Sequence, residues 1–552
     1  MLDKRANPKY VYMVILASMC YAYFNRFIQD DAFISLQYAK NLSSGLGPVW
    51  YAGERVEGYT NFLWVVLLSI PHAFGVDAVS FTYGLSLALF GVSQLLLMFV
   101  AKSFGLSVMG QLIFLMLVGS NYTFSAYATG GLETPLVVCL YYGLLTLVLR
   151  HSQQRYEKSY MVVVLAVMAA ALAMTRLDSG VLCLPLFTVY FYQLYQKRAY
   201  RWRQALVVLG IFSLCLGLVL GPWVIWKWRY YGDFLPNTYY LKMGSKTSVE
   251  FGVSYLLEFF TSYWLVVILP FLWQRVRAMS YGPLLQWRSL PLLTLAIWFV
   301  YILRTGGDFM EFRFMVPVIP LLFLEFALAL DSYAANQRFK LAAVVFLVAG
   351  SLYHRLNFDV FKGHDGLRIE SVENLREHMY GDQSWIGVGE TLAELFPEKD
   401  LKIAVTAAGA VAYYSGLATL DMLGLNDRHV ARNGEFIGAR PGHQRLASTR
   451  YLVEAGVNLL IGHPVFFEKS EFRFLPNPTT LPQVNFMWWF DISGEASYRY
   501  PLLCIPLDKN RCLFTLYLNR HRKIDQMLMA KKILMKNVDW TPANAKYSLA
   551  SP

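Results

Sequence analysis

Asp30 and Asp31 stand side by side where the first long apolar run of the chain ends. Adjacent carboxylates repel and desolvate each other, which lifts the pKa of one of them towards that of a working general base; the same pair can also hold a cation. The stretch GERVEGYTNFLW follows, with Glu54, Arg55 and Glu57 set between Gly53 and Gly58. Acid alternating with base between two glycines suits a tight loop whose backbone approaches a ligand. Tyr59, Phe62 and Trp64 then open an amphipathic segment of the kind that lies at a membrane interface. Four further blocks carry similar groups. GGLET places Glu133 before an apolar run, and TRLD pairs Arg176 with Asp178. RYYGDFLPNTYYLK sets Asn237 in a Pro-Asn turn and ends on Lys242, and GGDFMEFR holds Asp308, Glu311 and Arg313.

The elements that must position these residues are membrane helices. Of 552 residues, 56% are hydrophobic and 16% charged, against about 25% charged in ordinary soluble domains. That deficit excludes a disordered chain and a nucleic-acid binder. The net charge of +12 reads as the basic excess of cytoplasmic loops. Apolar runs suited to a bilayer fall near 10–27, 78–101, 107–121, 134–150, 160–175, 179–195, 204–226, 252–273, 289–303, 314–330 and 340–354. They predict about eleven transmembrane helices. Lys4, Arg5 and Lys9 precede the first run and no small-residue cleavage site follows it, which predicts a signal anchor with its amino end in the cytoplasm.

Thr60–Phe74 is apolar but short for a span and interrupted by Pro71 and His72. Laid along the outer surface, it leaves Lys102, Arg150, Arg155, Lys158, Arg201, Arg203, Arg275, Arg277, Arg288, Arg338 and Lys340 in cytoplasmic loops; as a span, it moves them all outside. The interfacial reading therefore holds, and the carboxylate- and arginine-bearing blocks share the external face. Charged groups gathered at one set of membrane ends mark a site rather than a scaffold.

Residues 1–354 thus form a transmembrane catalytic domain with a first external loop over 28–77, and 355–552 form a small extracytoplasmic mixed α/β domain. In the latter, Leu401–Thr406, Ala418–Asp421 and Val457–Ile461 read as buried strands and Gln444–Ala455 as a helix. Cys504 and Cys512 flank a turn in LLCIPLDKNRCLF, and in an oxidising compartment they predict a hairpin disulfide.

Outward carboxylates, arginines and aromatics at a membrane surface fit sugar transfer from a lipid phosphate. The acceptor hydroxyl needs a carboxylate base, the departing phosphate needs arginine or lysine, and aromatic faces stack on sugar rings. A lipid-linked sugar flippase or an O-antigen ligase is the alternative, although charge near the bilayer midplane, expected of a transporter, is confined to Glu325. No His/Asp/Glu spacing identifies a metal site, so a divalent cation is left open.

The run QDDAFISLQYAKNLSSGLGPVWYAGERVEGYTNFLW resembles the first-loop signature of GT-C integral-membrane glycosyltransferases, in particular the bacterial family of terminal β-(1→2)-arabinofuranosyltransferases. GLET, LPNT at 235–238, GGDFM with Arg313, and GLND at 424–427 followed by Gly442-His443 resemble that family's other blocks. The resemblance runs from about residue 28 to 463. It implies an inverting reaction at the bacterial cytoplasmic membrane, with Asp30 as base and Asp31 beside it. The implied partners are a polyprenyl-phosphate sugar donor, arabinofuranose among the candidates, and a glycan or glycolipid acceptor.

Overall fold

The computed structural model describes residues 8–152, 159–196, 202–243, 249–279, 285–333, 336–358, 369–381, 384–438, 442–474 and 500–537. The amino-terminal part begins with α1 (Pro8–Phe24), followed by α2 (Asp30–Ser43) and α3 (Phe62–Ala73), which lie in the first loop. Next come α4 (Ala78–Ser103), α5 (Val108–Ser120), α6 (Tyr122–Ala126), α7 (Thr134–Ser152), α8 (Ser159–Thr175) and α9 (Ser179–Gln196). α10 (Trp202–Tyr231), α11 (Asn237–Met243), α12 (Val249–Ser262), α13 (Leu269–Met279), α14 (Leu290–Thr305), α15 (Ile319–Tyr333) and α16 (Gln337–Asn357) complete it. Polar side chains cap several starts: Asp77 accepts from the Ser80 N–H, Ser107 from Gly110 and Asn121 from Phe124.

Each of the eleven expected segments is helical, but length and apolarity qualify fewer as spans. Among the described residues, five helices are long and apolar enough to cross a membrane. A sixth span arises if α12 and the helix after it count as one. The segment expected over 252–273 is not one straight helix: the two pieces meet at 91°, with Trp264 in the left-handed region at φ 57°. The twelve residues of α3 reach only about 18 Å at 1.5 Å per residue, short of the roughly 30 Å hydrocarbon core. On α10, Leu206, Val207, Leu214, Leu218 and Ile225 are 51–65% exposed, an outward apolar face of the kind that a membrane covers. Glu325, inside α15, is buried and accepts from Arg275 Nε at 2.8 Å, so the acid noted in that run is half of an ion pair.

The carboxyl-terminal part carries β1 (Lys402–Val405), β2 (Ala418–Asp421), β3 (Glu435–Phe436), β4 (Arg445–Leu446), β5 (Leu459–Gly462), β6 (Phe466–Glu468), β7 (Leu502–Pro506), β8 (Arg511–Tyr517) and β9 (Leu534–Lys536). Seven strands form one mixed sheet in the order β2-β1-β5-β8-β7-β9, with β6 also on β8. β1 runs parallel to both β2 and β5, and the later pairings are antiparallel. The helix expected over 444–455 is shorter. Arg445–Leu446 pairs with Glu435–Phe436 as a strand, and Ser448 caps a helix that covers only Thr449–Glu454.

Cys504 and Cys512 are joined across the β7–β8 hairpin, with Cα atoms 5.3 Å apart. Both thiols should resist maleimide in exported protein until a reductant is added; labelling without reduction would contradict the bond. Loss of the bridge should cost at most about 2–3 kcal/mol, as expected for so short a loop.

Candidate active site

The site forms where the start of α2 is held between two glycines. A Cβ on Gly409 would lie 1.8 Å from the Asp30 carbonyl oxygen, and one on Gly131, at φ +79°, would lie 2.6 Å from the Ala32 methyl. Only glycine permits both approaches. The Gly409 N–H donates to one oxygen of the Asp30 carboxylate at 2.9 Å, and the Ala410 N–H donates to the other at 2.7 Å. Asp30 is therefore oriented by backbone from the sheet-bearing part of the chain. Burial pushes its pKa up to about 7 against the Ala410 and Gly409 N–H groups, with the Asp31 and Asp421 charges adding to the rise. Each oxygen keeps lone-pair capacity beyond its one bond, and a carboxylate titrating near neutrality is suited to accept a proton.

Asp31 lies within electrostatic reach of Arg313, part of a compact cluster of charge. Arg176 donates from Nη1 to Glu133 at 2.7 Å and from Nε and Nη2 to the two oxygens of Asp178, at 2.8 and 2.5 Å. Tyr301 donates its hydroxyl to Asp178 at 2.9 Å. Arg313 donates from Nε to Asp308 at 2.6 Å. The two guanidiniums share the Phe314 ring, 5.7 and 5.6 Å from its centroid. Burial alone would raise Glu133, but Arg176, Arg313 and a bond from Asn61 more than offset it and hold the carboxyl below its ordinary range. Asp178 is likewise held low, its burial outweighed by Arg176 and Tyr301. Burial pulls Arg313 down and Asp308 pushes it up; Glu133 and Asp31 add to the push against Arg176, and the net direction is up. Arg176 and Arg313 remain 19% and 13% exposed. The cavity between them holds about 20 Å³, room for little more than one water.

Asn61 connects this cluster to α2. Its amide donates to Glu133 at 2.8 Å and to Ser35 at 3.0 Å, and Ser35 lies one helical turn beyond Asp31, on the same face. His443 reaches the same region edge-on to Phe309, ring centroids 5.0 Å apart, which brings the Gly442-His443 block against the GGDF loop.

Other expected binding residues serve different ends. Glu57 is paired with Lys227 at 2.8 Å, both nearly fully buried, and burial lifts Glu57 to about 7 against that lysine. The Asn237 amide donates to the carbonyls of Gly424, Leu425 and Asp427, while its backbone N–H donates to Glu57 O. The LPNT turn thereby clips the first loop to the GLND turn. Glu54 and Arg55 lie apart from the arginine pair, in a separate cavity near Arg428. The Lys242 side chain lies outside the described residues. Among the described residues, no three His, Cys, Asp or Glu side chains gather as a metal site.

Sequence reasoning missed several partners. Lys227 was legible as a lone cation at the end of an apolar run. Asn61 had no signal beyond its place in the loop. The buried pair of His354 with Glu311, 2.8 Å apart, had none either.

The whole architecture has a solved counterpart. The structure of ArnT from Cupriavidus metallidurans bound to undecaprenyl phosphate superposes with a TM-score of 0.53 at 12% identity, covering 92% of this chain and 98% of that one. Its apo form gives 0.51 at 13% identity. The fold is that of the polytopic GT-C membrane glycosyltransferases. By sequence, the chain belongs to the Alg9-like mannosyltransferase family, whose model matches residues 9–391. A domain of unknown function is matched over residues 373–500. The terminal β-(1→2)-arabinofuranosyltransferases of Mycobacterium tuberculosis and Corynebacterium glutamicum are 26% and 27% identical over 330 and 336 residues. Each match covers 53% of this chain and 50% or 46% of the relative, so the chain spans about half the length of these relatives.

Proposed function

We propose that this protein is an inverting glycosyltransferase that moves a sugar from a polyprenyl-phosphate donor to a glycan or glycolipid acceptor on the outer face of the bacterial cytoplasmic membrane. The observation that carries the reading is a carboxylate raised to near neutrality at the start of α2, whose neighbour Asp31 acts electrostatically on Arg313, one of two partly exposed arginines. Asp30 takes the proton of the acceptor hydroxyl as its oxygen bonds to the anomeric carbon. The bond from that carbon to the phosphate breaks on the opposite side, and the polyprenyl phosphate leaves with the electron pair. Arg313 and Arg176 stabilise the departing charge. The space between them is too small for a phosphate, so the headgroup meets their exposed edges. The ArnT structure is bound to undecaprenyl phosphate, and the arabinofuranosyltransferase relatives make a pentofuranose the first donor sugar to try.

The test is transfer from synthetic polyprenyl-phosphate sugars by detergent-purified protein, with donor affinity measured separately. Arg313→Ala should weaken both donor affinity and turnover, since a charge-assisted contact is worth about 1.5–3 kcal/mol, or about 10- to 150-fold. Unchanged donor affinity would remove Arg313 from the phosphate site.

This reading places the amino terminus inside and the sheet-bearing part outside. Reporter fusions after Lys102, Arg203 and Arg338 should read cytoplasmic, and those after Asp233 and Asp508 external. An external signal at Arg203 would dismantle the common face.

A further inference from the structure

Glu311 lies between Asp308 and Arg313 in the GGDFMEFR loop, yet its carboxylate is paired elsewhere. The side chain is buried. One oxygen accepts from His354 Nε2 at 2.8 Å and the other from the Val372 N–H at 2.7 Å. The main chain is tied to the same segment: the Glu311 N–H donates to Glu370 O at 2.9 Å, and the Glu370 N–H donates to Phe309 O at 2.7 Å. Residues 370–372 lead into α17 (Val372–Tyr380). His354, near the end of α16, is fully buried and stacks on Tyr263 with centroids 4.1 Å apart. The Tyr263 hydroxyl is bonded in turn to the Thr123 hydroxyl at 2.7 Å. Nδ1 of His354 has no hydrogen-bond partner among the described residues, which assigns the proton to Nε2 and makes the imidazole the donor.

A buried acid–base pair adds little net stability, because desolvation takes back what the attraction gives. What it supplies is a fixed direction, and this loop needs one. Phe312, next to Glu311, sits in the left-handed region at φ 43°, a conformation that a residue with a Cβ keeps only where its surroundings over-determine it. Phe259 and Phe358 hold its ring edge-on, at 5.2 and 5.3 Å, and the two bonds to Glu311 hold the residue before it. Arg313 follows directly, with its guanidinium 13% exposed and bonded to Asp308. The turn at Phe312 thus sets where that guanidinium stands.

Resting on the reading that Arg313 meets the donor phosphate, we propose that Glu311 and His354 are positioning residues for this arginine. They lock the turn at Phe312, with the Val372 N–H as the second fastening, and hold the guanidinium where the departing phosphate needs it. A purely structural tie between α16 and α17 would use the same bonds, and the experiment separates the two.

The probe is a synthetic polyprenyl phosphate without sugar, titrated against the full chain in detergent. His354→Phe deletes the N–H and keeps a ring on Tyr263. His354→Gln restores an N–H the same number of bonds from Cα. Val372→Pro deletes the other donor at the first position of a helix, where proline is well tolerated, and Ser371 before it is already extended. It therefore carries the test if His354→Phe does not fold. His354→Phe and Val372→Pro should each weaken binding about tenfold, the loss of one 1.4 kcal/mol contact, with thermal midpoints still above the assay temperature. His354→Gln should bind within about threefold of the wild type. In an Arg313→Ala background, neither change should weaken binding by more than about a further twofold. Amides of residues 309–313 should exchange faster with deuterium in both variants.

Wild-type affinity in folded Val372→Pro, a loss that persists in full in the Arg313→Ala background, or a His354→Gln no better than His354→Phe would each overturn the assignment. An Arg313→Ala that binds as the wild type does, or a wild type that binds no polyprenyl phosphate, would overturn the phosphate reading itself. Exchange then decides for the clamp alone: faster loop amides in both variants support it, and unchanged ones overturn it as well.

Discussion

Asp30→Asn should lower turnover about 10²- to 10⁴-fold, the usual cost of removing a general base, while donor affinity stays near that of the wild type. The amide has the size of the carboxylate, and its oxygen still accepts one of the two backbone N–H groups, from Gly409 or Ala410. What it lacks is an oxygen able to take the acceptor's proton. The wild-type rate should rise with pH through about 7, because burial sets the Asp30 carboxyl there and the base must be free of its proton. The stability linkage has the opposite sense. A carboxyl held above its unfolded value contributes stability that is present at low pH and lost as pH climbs through about 7, and the asparagine variant should lose that dependence too. Wild-type turnover in Asp30→Asn would move the base to another carboxylate of the site, Asp308 or Glu57 first. A collapse of donor affinity with normal residual chemistry would make Asp30 a binding residue.

Arg176→Met should be the most destabilising single change at the site. It leaves Glu133 and Asp178 as buried carboxylates that have lost the guanidinium holding both low. Breaking a buried pair in this way costs about 3–5 kcal/mol, read as a lower midpoint of thermal unfolding in detergent. Adding Glu133→Gln and Asp178→Asn removes the stranded charges and should recover most of the loss. Transfer should remain absent in that triple variant, since the phosphate still lacks its arginine. A single variant as stable as the wild type would show that the cluster is hydrated and only loosely coupled to the fold.

The blocks that carry charge were legible because charge at a membrane end is costly and stands out in an apolar sequence. Glu133, Arg176–Asp178 and Asp308–Arg313 gather in one cluster that Asn61 ties to α2 and the Asp31 charge reaches. Their partners were not legible. Asp30 is oriented by the backbone of Gly409 and Ala410, nearly 380 residues away, and a backbone N–H leaves no mark of composition. Asn237 looked like a ligand group in a polar turn, yet all its amide bonds go to main-chain carbonyls. Strands β1 and β2 were readable as short buried runs, whereas the short strand Arg445–Leu446 exists only because Glu435–Phe436 pairs with it. The break between α12 and α13 was hidden because its residues are as apolar as the helices they separate.

The close approach of Gly409 to Asp30 bears on how such a chain can be recombined. The carboxyl-terminal sheet is not a removable reading head: besides the Asp30 contacts, Thr419 accepts from the Trp50 indole and Asn426 from the Tyr38 hydroxyl. A hybrid that takes its bundle from one parent and its sheet from another inherits a seam through Asp30. Such a graft should function only when the segment from Gly409 to Asp427 travels with the first loop it grips. Exchange of the hairpin that carries the disulfide, by contrast, leaves that seam untouched.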